Sequence, residues 1–201
     1  MRKRAKRRSE RFRATIQRHC SRDQTSLVMF AYRLAKYGHR EQQRDGGERY
    51  FEHPWRVAAF LVEELGVSDC DVIIAAFLHD LLEDSFLLTI EDVRRVFGPR
   101  VSGFVRILTK EDGEGAGYFT RIACAENEVR LIKISDRRDN LRTMGVWPAD
   151  RQLRYIEETR TFVIPIAEQT TPPLAGELEE LCRRTEDRLA QGPRKRRRRR
   201  R

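Results

Sequence analysis

Long hydrophobic runs are missing from this 201-residue chain. A membrane-spanning helix needs about 20 consecutive apolar residues. The longest candidate, VIIAAFLHDLL at 72–82, is interrupted by His79 and Asp80. The N-terminus lacks the apolar stretch of a secretory signal, since its basic residues run into mixed polar sequence. No membrane association is therefore expected. Cysteine is sparse: Cys20, Cys70, Cys124 and Cys182 lie far apart, with no paired spacing. That excludes a zinc ribbon and a dense disulfide framework, and a reducing cytoplasm is the expected compartment. No segment alternates convincingly as a strand, and no internal repeat stands out.

What is present is charge, unevenly placed. The chain carries a net +10, which at face value suggests a nucleic-acid binder. Residues 1–22 alone hold 10 basic side chains and 1 acidic one, and the terminal RKRRRRRR at 194–201 adds 8 more positive charges. The middle, 23–193, has 23 positive and 30 negative side chains. It reads as an acidic domain between two basic tails. With 39% apolar residues it has enough to build one core. Three segments are expected: a disordered basic tail at 1–22, a folded domain at 23–190 and a disordered Arg-rich tail at 191–201. Arg-rich runs bind phosphate backbones without sequence preference, so weak nucleic-acid or ribosome association is the partner the tails suggest.

Between the tails the periodicity is helical throughout. Helices are predicted over 27–38, ending at Gly38; from Pro54 to Gly66; and over 69–83, apolar nearly all round and hence central. Residues 39–52, containing Asp45-Gly46-Gly47, read as a loop. Thr89 with Asp92 forms an N-cap pattern for a helix running to Phe97-Gly98-Pro99, and another helix follows over 100–109. The glycine-rich, acidic stretch 111–118 is the candidate mobile loop. Long helices are predicted over 119–143 and 149–169, then a charged one from Pro172-Pro173 to 190. The fold class is all-α: a single-domain helical bundle.

Inside the central helix, His79-Asp80 followed by Glu83-Asp84 is costly. Four ionisable groups in six residues cannot be buried without partners, and three carboxylates so close repel one another unless a cation sits among them. Their spacings of three and four place the tips along one helix edge. Two further residues fit the same site. His53 stands before Pro54, where the backbone is restricted, and Asp136 lies in the core-like LIKISDRRDN. Lys133, Asp136, Arg137, Asn140 and Thr143 share one face of that helix. Two histidines with two aspartates suit manganese, iron or zinc better than calcium. A solitary histidine is more often a satisfied core residue than a ligand, and His19 and His39 carry no more weight than that alone.

The order His39, Arg44, Tyr50, His53-Pro54, His79-Asp80, Glu83-Asp84, Lys133, Asp136-Arg137, Asn140 resembles the HD-superfamily hydrolase domain of the RelA/SpoT-type alarmone enzymes. The similarity extends over residues 25–170 and includes AAFLHDLLEDS, FGPRVSGFVRILTK and VRLIKISDRRDNLRTM. With so little chain after the match, a stand-alone small hydrolase without a synthetase region is expected. The resemblance implies an all-α HD-domain bundle and one manganese ion held by His53, His79, Asp80 and Asp136. It implies removal of the 3′-pyrophosphate of guanosine tetra- or pentaphosphate, leaving GDP or GTP. Glu83 and Asp84 would then orient or deprotonate the attacking water. Arg44 would stack on guanine, Asn140 would hold the ribose-side oxygens with Thr143 nearby, and Lys133 would support Asp136.

Three features depart from the family pattern. Asp45 stands where a lysine often follows the guanine-loop arginine, and a carboxylate there repels a polyanion. Asp139 replaces the histidine usual before the asparagine, and the 111–118 loop is acidic. Two alternatives follow: an HD-type phosphohydrolase acting on another nucleotide phosphate, including a nicotinamide dinucleotide phosphate, or a nucleic-acid-associated module with a degenerate site.

Overall fold

The computed structural model describes residues 2–84 and 88–191, with side chains for 7–83 and 88–191. Among these residues all regular structure is helical, apart from one isolated antiparallel bridge between Gln43 and Arg49. The helices are α1 (Arg2–Ile16), α2 (Arg22–Gly38), α3 (Glu52–Glu63), α4 (Cys70–Leu78), α5 (Leu81–Asp84), α6 (Ile90–Phe97), α7 (Pro99–Leu108), α8 (Ala116–Ala123), α9 (Asn127–Thr143), α10 (Ala149–Glu158), α11 (Ile164–Thr170) and α12 (Pro172–Ala190). The all-α bundle expected from the periodicity is what forms. No described helix is long and apolar enough to cross a membrane.

Helix α4 is the hub, as its apolar circumference requires. All of its residues except Asp71 are buried, and it packs on α2, α3, α7 and α9. Local chemistry sets several ends. Ser21 closes a capping box with Gln24 at the start of α2, so that helix begins earlier than the apolar stripe suggests. Thr89 and Asp92 do the same for α6, as their spacing predicts. Between α6 and α7, Gly98 adopts φ 92°, a left-handed conformation that favours glycine.

Three predicted elements differ. The central helix does not run unbroken to residue 83: it stops after Leu78, and α5 starts afresh at Leu81. The predicted 119–143 helix is split by Cys124–Glu126 into α8 and α9. Between α10 and α11, Thr159–Val163 form a π-helical turn in which the Ile164 N–H bonds to the Thr159 carbonyl. Pro165 explains this. It has no N–H to give and its ring clashes with the preceding turn, which the wider turn relieves.

The basic N-terminal segment is the main correction. It is not a disordered tail: α1 lies on the domain with Phe12 and Ile16 fully buried. Phe12 packs edge-on against Trp55 at 4.9 Å and Phe77 at 5.7 Å. Arg8 lies 4.5 Å from the Trp55 ring centroid and pairs with Glu52 at 2.7 Å. Two apolar residues four apart make one inward stripe, while the charges face out. Cys20, just past α1, is joined to Cys70 at the start of α4 by a disulfide. Their separation of 50 residues hides this pairing from any spacing rule. The expected disordered tail at 191–201 lies outside the described residues, except for Gln191.

Candidate metal and nucleotide site

The break after α4 creates the site. His79 and Asp80 sit in the joint before α5, so both side chains turn to the same side as His53, from the first turn of α3, and Asp136, from the middle of α9. His53, His79 and Asp136 are buried, at 1%, 3% and 4% exposure. The His53 Nε2 atom is 3.1 Å from Asp136 Oδ1 and 3.5 Å from Asp80 Oδ2. His79 Nε2 is 3.2 Å from Asp80 Oδ1 and 3.9 Å from Asp136 Oδ1. One ligand atom each from His53, His79 and Asp136 falls within 4.8 Å of the others. Asp80 completes the four residues expected to converge.

The hydrogen bonds decide what these atoms offer. His79 Nδ1 lies 2.8 Å from the Ala76 carbonyl, so its proton is on Nδ1 and its Nε2 carries a lone pair. His53 Nδ1 lies 2.7 Å from Asp139 Oδ2 and is arranged in the same way. Both Nε2 atoms are buried and hydrogen-bonded to nothing. Buried nitrogens without partners that face two carboxylates form a site that fits a divalent cation.

The electrostatics hold the acids ionised. At Asp136 burial favours the neutral acid, but the Lys133 ammonium and His53 outweigh it and keep the carboxyl well below the usual range. Lys133 Nζ donates to Asp136 Oδ2 at 2.8 Å, which is the supporting position expected for it. At Asp80 burial is again outweighed, by His79 and His53, and the Tyr50 hydroxyl donates to Oδ2 at 2.9 Å. Burial lowers His53, but the surrounding Asp136, Asp139 and Asp80 carboxylates outweigh it and raise it to about 9. A proton then stands where a metal would, so metal binding would release it.

Beside this cluster lies a second one. Arg44 donates through Nη1 to Asp139 Oδ2 and Thr143 Oγ1, each at 3.2 Å, and through Nη2 to Asn140 Oδ1. Asn140 Nδ2 in turn donates to Asp136 Oδ1 at 2.7 Å. The three residues expected to bind substrate are therefore brought together and linked to the metal-type cluster. A cavity of about 190 Å3 opens next to them, lined in part by Arg44, Asp45, Glu48, Thr143 and Trp147. Asp45 pairs with Arg151 at 2.9 Å, which offsets part of the repulsion its position implies. Glu83 is exposed and accepts a hydrogen bond from the Lys110 backbone N–H. The Asp84 side chain lies outside the described residues.

Sequence reasoning did not single out Arg56 and Arg151, and treated Asp139 only as a departure. Arg151 is one of several arginines in its stretch and Arg56 a single one on a mostly apolar helix, and only their contacts distinguish them. Tyr50 and His39 were legible as pattern members. The two rings stack at 4.7 Å, which places the Tyr50 hydroxyl on Asp80.

Comparisons with known proteins agree with this geometry. The HD-domain family model matches residues 31–117. A guanosine-3′,5′-bis(diphosphate) 3′-pyrophosphohydrolase of Aquifex aeolicus is 39% identical over 148 residues, 70% of this chain and 21% of its own length. The bifunctional (p)ppGpp synthase/hydrolase SpoT of Escherichia coli K12 is 32% identical over 178 residues, 83% of this chain and 25% of that protein. The chain thus spans about a quarter of the length of the curated relatives it matches. A solved structure, described as a metazoan ortholog of SpoT that hydrolyzes ppGpp, superposes with a TM-score of 0.71 and 30% identity. It covers 79% of this chain and 94% of its own. A Listeria monocytogenes structure at 24% identity and TM-score 0.55 shares the fold. The buried His-Asp cluster and these matches lead to one conclusion: this chain belongs to the HD-domain hydrolase family of the SpoT type.

Proposed function

We propose that the chain hydrolyses the 3′-pyrophosphate of guanosine tetra- or pentaphosphate in the cytoplasm, giving GDP or GTP and pyrophosphate, with one manganese ion per chain. The observation that carries this reading is the pair of unpartnered Nε2 atoms on His53 and His79 facing the Asp80 and Asp136 carboxylates. These four residues hold the ion. When bound, a divalent ion lowers the pKa of a coordinated water and offsets charge on phosphoryl oxygens. Glu83 and Asp84 orient the attacking water and take up its proton. The edges of the Arg44 guanidinium are engaged by Asp139, Asn140 and Thr143. One flat face is turned to the Tyr50 ring at 5.9 Å and the other serves for stacking on guanine, with Asn140 and Thr143 at the ribose.

A second reading, another nucleotide phosphate including a nicotinamide dinucleotide phosphate, is favoured by Asp45 on the cavity wall. Nucleic-acid or ribosome association through the basic segments is supported by α1, whose Arg7, Arg11 and Arg13 are exposed.

One preparation tests the main reading. Its metal content is measured, and kcat/KM is compared across a nucleotide panel for the parent, His79→Ala and Asp136→Ala. Pyrophosphate release from guanosine tetraphosphate with manganese is expected, with metal and turnover lost in both variants. Retention of metal by both would overturn the site, and faster turnover of another nucleotide would establish the second reading.

A further inference from the structure

Asp139 is an acid in the interior with an unusual set of neighbours. Its Oδ2 accepts from His53 Nδ1 at 2.7 Å, Arg56 Nη2 at 3.0 Å and Arg44 Nη1 at 3.2 Å. Its Oδ1 accepts from Arg56 Nε at 2.6 Å. Arg56 grips the carboxylate through two nitrogens and is itself held by Glu48 at 2.7 Å. Such a two-point grip fixes the plane of the carboxylate as well as its position. Asp139 lies three residues beyond Asp136 on α9, so one helix face presents both carboxylates a turn apart.

The geometry points to Asp139, clamped by Arg56, as the positioning residue that makes His53 a metal ligand. It rests on the reading of His53 as a ligand, not on the identity of the nucleotide. An ionised carboxylate only accepts, so the His53 proton must sit on Nδ1, which leaves the Nε2 lone pair toward Asp80 and Asp136. The clamp also fixes the ring orientation, because His53 sits in the first turn of a helix and, among the described residues, its Nδ1 bonds Asp139 alone. Arg44 shares the same oxygen, so the carboxylate that aims the metal ligand also bonds the arginine lining the nucleotide cavity. Arg56 rather than Arg44 holds the plane, since only Arg56 bonds both oxygens.

Metal-free full-length chain, titrated with Mn2+ and followed by the electron paramagnetic resonance signal of the free ion, tests this without any nucleotide. Asp139→Asn and Asp139→Ala should each bind Mn2+ about 10- to 100-fold more weakly than the parent. Asp139→Asn should be the worse of the two, because its amide can donate to Nδ1 and drive the proton to Nε2. Long-range 1H–15N spectra of the chain saturated with diamagnetic Zn2+, which displaces the proton from Nε2, should show the Nδ1–H form of His53 in the parent and its loss in Asp139→Asn. Arg56→Gln keeps the buried carboxylate and should weaken Mn2+ in the same direction by less, which decides the matter if the Asp139 variants do not fold. Unchanged Mn2+ affinity in the folded variants, with His53 still protonated on Nδ1, would show a purely structural ion pair. A parent that binds no Mn2+ would overturn the site itself, whereas a parent that binds it without turning over guanosine tetraphosphate would overturn only the substrate reading.

Discussion

At the scale of single residues, the environment assigns roles that residue type alone does not. Asp45 and Asp139 both stand where the family pattern has a basic residue or histidine. One is exposed and paired to Arg151; the other is buried among two arginines and His53. Burial raises the Asp139 carboxyl, but hydrogen bonds from His53 and Arg56 outweigh it and hold it at about 2, against an ordinary 3.8. A depressed carboxylate adds stability that is full above its unfolded pKa and lost as pH falls through the folded one. The window here is therefore below about pH 4, and the size is about 2 kcal/mol. Urea denaturation of the metal-free parent and Asp139→Asn should show their difference shrinking by that amount from pH 5 to pH 2. A difference that is independent of pH would mean the carboxylate is not held ionised. His53 and Asp136 were identifiable from sequence because the proline after His53 restricts its backbone at a helix start and an acid in a core-like helix is costly. Arg56 was not, because an arginine on a helix carries no cost until its partner is known.

At the scale of elements, patterning located nearly every helix, and most errors fell at breaks. The hydrophobic run of residues 72–82 gives no sign of stopping at Leu78, yet the interruption there is what turns His79 and Asp80 toward α3 and α9. The π-helical turn at Thr159 has a similar consequence. Its hydroxyl accepts from buried Arg137 at 3.2 Å, and Glu158 accepts from the same guanidinium at 2.6 Å. Arg137, at 2% exposure, is thereby neutralised next to Asp136. Charge composition misread α1, because its eight basic residues outweighed the two apolar ones that dock it. Phe12→Ala should destabilise the domain by about 3–5 kcal/mol, as for other buried phenylalanines. Equilibrium denaturation measures this directly, and a loss under about 1 kcal/mol would return α1 to the status of an appendage.

At the scale of the whole molecule, the Cys20–Cys70 disulfide ties the end of α1 to the hub helix. Closing a loop of 50 residues removes enough unfolded-state entropy for about 4 kcal/mol. Thiol reductant should therefore lower the melting temperature by roughly 10 °C. A Cys20→Ser variant should melt at the reduced value with or without reductant, and no shift on reduction would show that the bridge adds nothing. The net +10 belongs partly to a helix packed on the domain, so the basic surface is closer to the site than a free tail would place it. Taken alone, the sequence determined the all-α class, the hub helix and, through the order of its motifs, the family, and it pointed to His53, His79, Asp80 and Asp136, because helical periodicity and the cost of burying charge are local properties of the chain. Only the tertiary structure decided the break that aims His79 and Asp80, the grip of Arg56 on Asp139, the pairing of Asp45 with Arg151 and the docking of α1. Each depends on groups tens of residues apart meeting within about 3 Å, the range over which a hydrogen bond acts, and no local pattern encodes which of many charges will meet.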